Sequence, residues 1–197
     1  MSDDISGEVA AIAGYFKQYE VFATNIYDYL LNNKIEWIEL ACSEAGKLDD
    51  VLIGLDDKII AYQVKNIASS KFSFSSFTSS ETESILEGSF IGWKKLKNQY
   101  PNHKIDAKLV TSQRPSENDR IASYRGNPKP TFKKFISNFW SKIKSGNYTL
   151  DNLPLAWKAV FQELKTKTEA SEDDLIQFII DFEFIFEYDT NNVTSGH

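Results

Sequence analysis

Two short stretches carry the side chains best suited to chemistry: Gly46-Lys47-Leu48-Asp49-Asp50-Val51-Leu52-Ile53-Gly54, and Ile59-Ile60-Ala61-Tyr62-Gln63-Val64-Lys65. An acidic residue opening one strand and a Gln-x-Lys ending its partner would bring three polar groups to one sheet edge. Strand alternation puts Gln63 and Lys65 on one face, roughly 7 Å apart, with Val64 turned the other way. Carboxylate and amide oxygens are the hard ligands that Mg²⁺ prefers, and a lysine can orient a water and offset charge that builds on phosphorus. Together they suit hydrolysis of a phosphodiester. Each residue also has a plainer reading: the Asp pair can punctuate a loop, Lys65 can snorkel to the surface, and Gln63 can be a satisfied buried amide.

The elements that must position these groups are legible from periodicity. Residues 8–31 place Ile12, Phe16, Tyr19, Ala23, Ile26 and Leu30 at helical spacing. Residues 35–41 read as a strand. Strands over 50–55 and 58–65 are joined by the tight turn Leu55-Asp56-Asp57-Lys58. The Ser- and Phe-rich stretch 69–80 is ambiguous, with Phe72, Phe74 and Phe77 as anchors onto a core. A helix over 81–99 and a strand over 105–111 follow. Ser116 with Asp119 three residues on resembles a helix start, Thr131 can cap a helix over 132–144, and Asp151 or Asn152 starts a helix to about 165. Ser171 opens another, and 182–188 alternates like a final strand. This order predicts one α/β domain, 1–197, with a core over 1–112 and a mainly helical elaboration over 113–197.

At these residues the sequence resembles the PD-(D/E)xK nuclease superfamily in its Mrr-like Gln-x-Lys variant. It is similar to the dsDNA endonuclease domains at the N-termini of bacterial antiphage effectors, the CBASS-associated endonucleases and the antiviral STAND NTPases. The residues concerned are Gly14 to Tyr19, Glu39, Asp49-Asp50-Val51, Gln63-Val64-Lys65, Leu109 to Ser112 and Pro115 to Asp119. The resemblance implies a restriction endonuclease-like mixed sheet flanked by helices and a Mg²⁺ (or Mn²⁺) site. In it Asp50 binds metal, Gln63 replaces the commoner Glu as ligand, and Lys65 is the catalytic lysine. A neutral amide removes one negative charge, so another carboxylate is expected to complete the site. Glu39 from the adjacent strand comes first, then Glu20 and Glu44, with Asp49 as alternate for Asp50 and Gln18 as a group orienting a ligand. Glu39 can equally face solvent, Glu44 can be a loop charge, and Gln18 an exposed helical side chain. The resemblance also implies a chain that is the N-terminal part of a longer effector, forming a homo-oligomer through regulatory modules elsewhere. No Walker-type phosphate loop occurs in this stretch. A degenerate nuclease-fold module that binds nucleic acid or mediates assembly is the alternative, and an RNA or hybrid substrate is a third reading.

Composition narrows the classes. The single cysteine, Cys42, excludes an intramolecular disulfide framework and a Cys-based zinc site, and two histidines supply little for His-based chemistry. No apolar run reaches the roughly 20 residues of a membrane span, so a cytoplasmic protein with no membrane partner is expected. The net charge of −6 over 197 residues conceals a division. Residues 1–90 hold 6 basic and 15 acidic side chains, 91–148 hold 13 and 3, and 149–197 hold 3 and 10. The basic middle is the expected surface for double-stranded DNA, through Lys94, Lys95, Lys97, Arg114, Arg120, Arg125, Lys133 and Lys134. Its other reading is a solvated surface whose charges balance the acidic segments after folding.

Overall fold

The computed structural model describes residues 35–65, 71–79, 83–119 and 132–186, with positions 23, 26, 27 and 29–32. Its centre is a mixed five-stranded sheet in the order β1-β2-β3-β5-β9. The predicted meander forms it on one side: β1 (Trp37–Leu40), β2 (Val51–Gly54) and β3 (Lys58–Lys65) are antiparallel neighbours, and the β2–β3 turn closes with Leu55 N–H donating to the Lys58 carbonyl at 2.9 Å. β5 (Lys104–Thr111) joins β3 in parallel, and β9 (Phe182–Phe186) joins β5 in parallel. The alternating C-terminal stretch thus supplies a strand of the central sheet. The hydrogen-bonded ladder between β5 and β9 thus joins residues on either side of position 112.

One face of the sheet carries the larger core. α1 (Phe74–Thr78), α2 (Ile85–Gln99), α4 (Leu155–Thr168) and α5 (Glu172–Asp181) contribute to it, as does α3 (Ser141–Lys144), which continues from a π-helical turn, Ile136–Trp140. Phe72, Phe74 and Phe77 are buried there, as their spacing predicted. The other face holds Val51, Ile53, Ile60, Tyr62, Val64 and Val110, packed by Ile26 and Tyr29 from the helical residues near 23–31. The rest of the predicted N-terminal helix lies outside the described residues.

Helix starts were partly legible. Ser84 and Glu87 form a capping box at α2, and the Ser171 hydroxyl accepts the Asp174 N–H at α5. Three expectations are corrected. Residues 116–119 start no helix: β6 (Arg114–Pro115) pairs with β4 (Lys71–Phe72), and β7 (Asn118–Asp119) pairs with β8 (Phe132–Lys133). Asp119 instead accepts the N–H of Phe74 at 2.7 Å on one oxygen and of Phe135 at 3.2 Å on the other. The 132–144 helix therefore begins later, at Phe135. Asn152 caps no helix; its oxygen accepts the Thr149 N–H, and α4 begins after Pro154, whose fixed φ suits that position.

Close packing holds the turn before β2. Gly46 has φ +61°, and a Cβ on Gly92 of α2 would lie 2.0 Å from the Ala45 carbonyl oxygen. The 3₁₀ turn Ser43–Ala45 thus sits directly on α2. The Lys47 ammonium adds to this, donating to the Glu83 carbonyl.

Candidate active site

The site forms where β2 begins. The β2–β3 register ends at Val51 opposite Tyr62, so the next pair along, whose side chains point to the other face, brings Asp50 beside Gln63. Asp50 Oδ2 accepts from Gln63 Nε2 at 2.8 Å and from the Val64 backbone N–H at 2.6 Å. The carboxylate thereby replaces a ladder acceptor for an N–H left over where the chain turns away. The Asp49 backbone carbonyl accepts the Cys42 N–H at 2.8 Å as the chain turns, and the acceptor for Gln63 and Val64 is the Asp50 carboxylate.

Burial pushes the Asp50 carboxyl above its ordinary range, and the neighbouring Asp49 charge adds to this; the Val64 N–H, the Gln63 amide and the Lys65 ammonium oppose it. Lys65 is half-buried two residues beyond Gln63 on the same face, and it acts on Asp50 through its charge. Gln63 is 2 % exposed, and with Nε2 turned to Asp50 its Oε1 is buried with no hydrogen-bond partner. An orphaned acceptor of this kind is costly unless something occupies it. Asp50 and Gln63 supply hard oxygens of the type Mg²⁺ or Mn²⁺ takes, and Mg²⁺ commonly uses one or two protein oxygens with water and phosphate completing its shell. The donor set fits such an ion.

The structure brings Asp50, Gln63 and Lys65 together and leaves other candidates apart. Glu39 pairs with Leu52, one row further along β1, and is exposed. Among the described residues no group of three His, Cys, Asp or Glu side chains is placed to hold a metal. Glu44 lies in the Ser43–Ala45 turn by its backbone. Glu20 and Gln18 are outside the described residues, as are Arg120 and Arg125.

The basic middle segment is split between two ends of the sheet. α2 runs back from the carboxyl end of β3 to the start of β5, so Lys94, Lys95 and Lys97 sit toward the end opposite Lys65. Lys94 pairs with Asp174 at 3.2 Å, and Lys97 lies over the Trp93 ring at 4.7 Å. Lys104 bonds Asp106 at 2.7 Å and Lys108 faces Glu183 at 3.8 Å. Much of this charge balances acidic neighbours. Arg114 and Lys134 line a cleft at the carboxyl end of β9, and Lys133 is placed in β8 by its backbone.

Gln113 escaped notice in the sequence, and Thr111 was read only as a strand end. Both are buried; Thr111 stands opposite Lys65 in the β3–β5 register, and Gln113 Nε2 donates to the Lys71 carbonyl at 3.1 Å. The signal for Gln113 was the polar run Ser112-Gln113-Arg114 directly after the strand. No helix among the described residues is long and apolar enough to cross a membrane. Compared with protein-family models, with curated proteins and with solved structures, the chain matches none of them.

Proposed function

We propose that the chain is a metal-dependent endonuclease domain of restriction endonuclease-like fold that hydrolyses phosphodiester bonds in double-stranded DNA. The observation that carries this reading is the pairing of half-buried Asp50 with buried Gln63, with an orphaned amide oxygen and Lys65 on the same sheet face. Asp50 and Gln63 would hold Mg²⁺ or Mn²⁺, with a further carboxylate or water completing the shell. The chemistry the ion supplies when bound is Lewis-acid polarisation of a phosphoryl oxygen. The Val64 N–H keeps the Asp50 carboxylate in one orientation. Lys65 orients the attacking water and offsets the negative charge that develops as the new P–O bond forms and the bond to the sugar oxygen breaks.

The wider assignment draws on the sequence resemblance: an antiphage effector whose nuclease is weak as a monomer and rises when regulatory modules cluster it into a homo-oligomer. A second reading, a catalytically degenerate module that retains nucleic acid, is favoured by the missing three-carboxylate group among the described residues. Plasmid retention and plasmid cleavage, measured together for wild type and Asp50→Ala in Mg²⁺, Mn²⁺ and EDTA, separate the two. Metal-dependent cleavage that Asp50→Ala abolishes supports the nuclease. Retention without cleavage in either metal supports the module.

A further inference from the structure

The cleft at the carboxyl end of β9 has a volume of about 600 Å³, within the roughly 300–1,000 Å³ of small-molecule sites. Arg114 and Lys134 line it with the hydroxyls of Ser137 and Ser141, and Phe184 and Phe186 form an apolar wall with rings 11° from parallel. Among the described lining residues Arg114 and Lys134 are the cations and exposed Glu117 the carboxylate.

The backbone around the cleft is unusual in two ways. Lys134 has φ +60°, a left-handed conformation that is strained for a side-chain-bearing residue. It is held there by its N–H on the Glu117 carbonyl at 3.1 Å and by its own carbonyl, which accepts the Asn138 N–H at 2.8 Å. The next turn is π-helical and carries Ser137. Retained strain and π-turns of this kind concentrate at binding sites.

Strand register fixes where the cleft lies. Phe184 stands in the row Gln63–Leu109–Phe184 and Phe186 in the row Lys65–Thr111–Phe186, on the face that carries Asp50. Two strand spacings, about 10 Å, separate Phe186 from Lys65. That is about three base steps of a nucleic-acid strand at 3.4 Å each.

We propose that this cleft is a nucleotide subsite, with a phosphate held by Arg114 and Lys134 and an unpaired base against the Phe184–Phe186 wall. A cavity of this size exceeds a phosphate alone, and its paired aromatic wall suits a planar base. Its role as a subsite for a displaced nucleotide of the substrate strand rests on the nuclease reading; its capacity to bind a nucleotide does not.

The test is calorimetric titration of the whole chain in EDTA with thymidine 5′-monophosphate, phenyl phosphate and inorganic phosphate. The nucleotide is expected to bind at least tenfold tighter than either comparator. Arg114→Gln and Lys134→Gly are each expected to weaken it at least tenfold, while Lys134→Gly does not lower the melting temperature, since glycine relieves the left-handed strain. Inorganic phosphate binding as tightly as the nucleotide would overturn the base contact. Equal binding of phenyl phosphate would assign the cleft to a phosphoaryl group such as a phosphopeptide side chain, and nucleotide affinity unchanged in both variants would overturn the location. Nucleotide binding that persists in a chain unable to cleave DNA upholds the subsite while counting against the nuclease. Cleavage in a chain that binds no nucleotide counts against the subsite alone.

Discussion

The carboxylate of Asp50 and the side-chain amide of Gln63 meet at 2.8 Å across the β2–β3 pair, with the amide nitrogen, not its oxygen, facing the acid. An ionised carboxylate demands that orientation, and the cost is a buried Oε1 without a partner. The pair is thus complete as a hydrogen bond, and it leaves one buried amide oxygen over.

Gln63→Glu should make folding depend on metal. Without metal, a second carboxylate at a position 2 % exposed beside Asp50 places two like charges in a buried setting and should cost about 2–4 kcal/mol at neutral pH. Mn²⁺ should restore most of it. Thermal melts in EDTA and in Mn²⁺ measure this, and a variant equally stable in both would argue against a cation between these residues.

Asp50 also fixes a pH dependence. Its folded pKa is raised by burial, so as pH falls the folded chain takes up a proton before the unfolded chain does. Asp50 therefore costs stability above its folded pKa, and that cost disappears as pH falls from there toward the unfolded value near 3.8. Asp50→Asn should stabilise the metal-free chain at pH 7, and it should abolish Mn²⁺ binding. In the wild type, Mn²⁺ affinity should fall with pH through the raised pKa. Urea melts and metal titrations across pH 4–7 read both.

Asp119 should matter to folding and not to chemistry. Its two oxygens accept the N–H groups that open α1 and the helical segment at Phe135. Asp119→Ala leaves both N–H groups buried without acceptors and should cost about 2–3 kcal/mol in urea denaturation. Asp119→Asn, which keeps one acceptor, should lose about half as much.

Charge reversal should have unequal effects on DNA retention. Arg114→Glu lies at the Lys65 end of the sheet, whereas Lys94 is paired with Asp174 toward the other end. The Arg114 change should weaken binding and flatten its salt dependence by about one contact; Lys94→Glu should do neither. Filter retention over a salt series measures both slopes.

Much of the fold was legible because its signals are local. Period-2 alternation marked β9, the Leu55–Lys58 turn marked the hairpin that ends in β3, and Ser171 marked a helix start. The errors came from long-range partners: Asp119 looks like a local cap but serves backbone 45 residues before it and 16 after. The parallel placement of β9 beside β5 likewise follows from packing that no local pattern encodes. At the site, alternation and the hairpin register were enough to join Asp50, Gln63 and Lys65. Glu39 could not be resolved that way, because alternation places it on the proper face but only the β1–β2 register places it one row off. The charge of 91–148 was readable as a total, while its division between the two ends depends on the direction of α2.

The central claim is tested most directly by Lys65→Ala, assayed for both cleavage and retention of supercoiled plasmid in Mg²⁺. Wild type should nick and linearise the plasmid and should stop in EDTA. The variant should lose about a hundredfold or more in cleavage rate while its retention of DNA changes only a few-fold. Cleavage that continues unchanged in Lys65→Ala, or a wild-type chain that cuts in neither Mg²⁺ nor Mn²⁺, would contradict it.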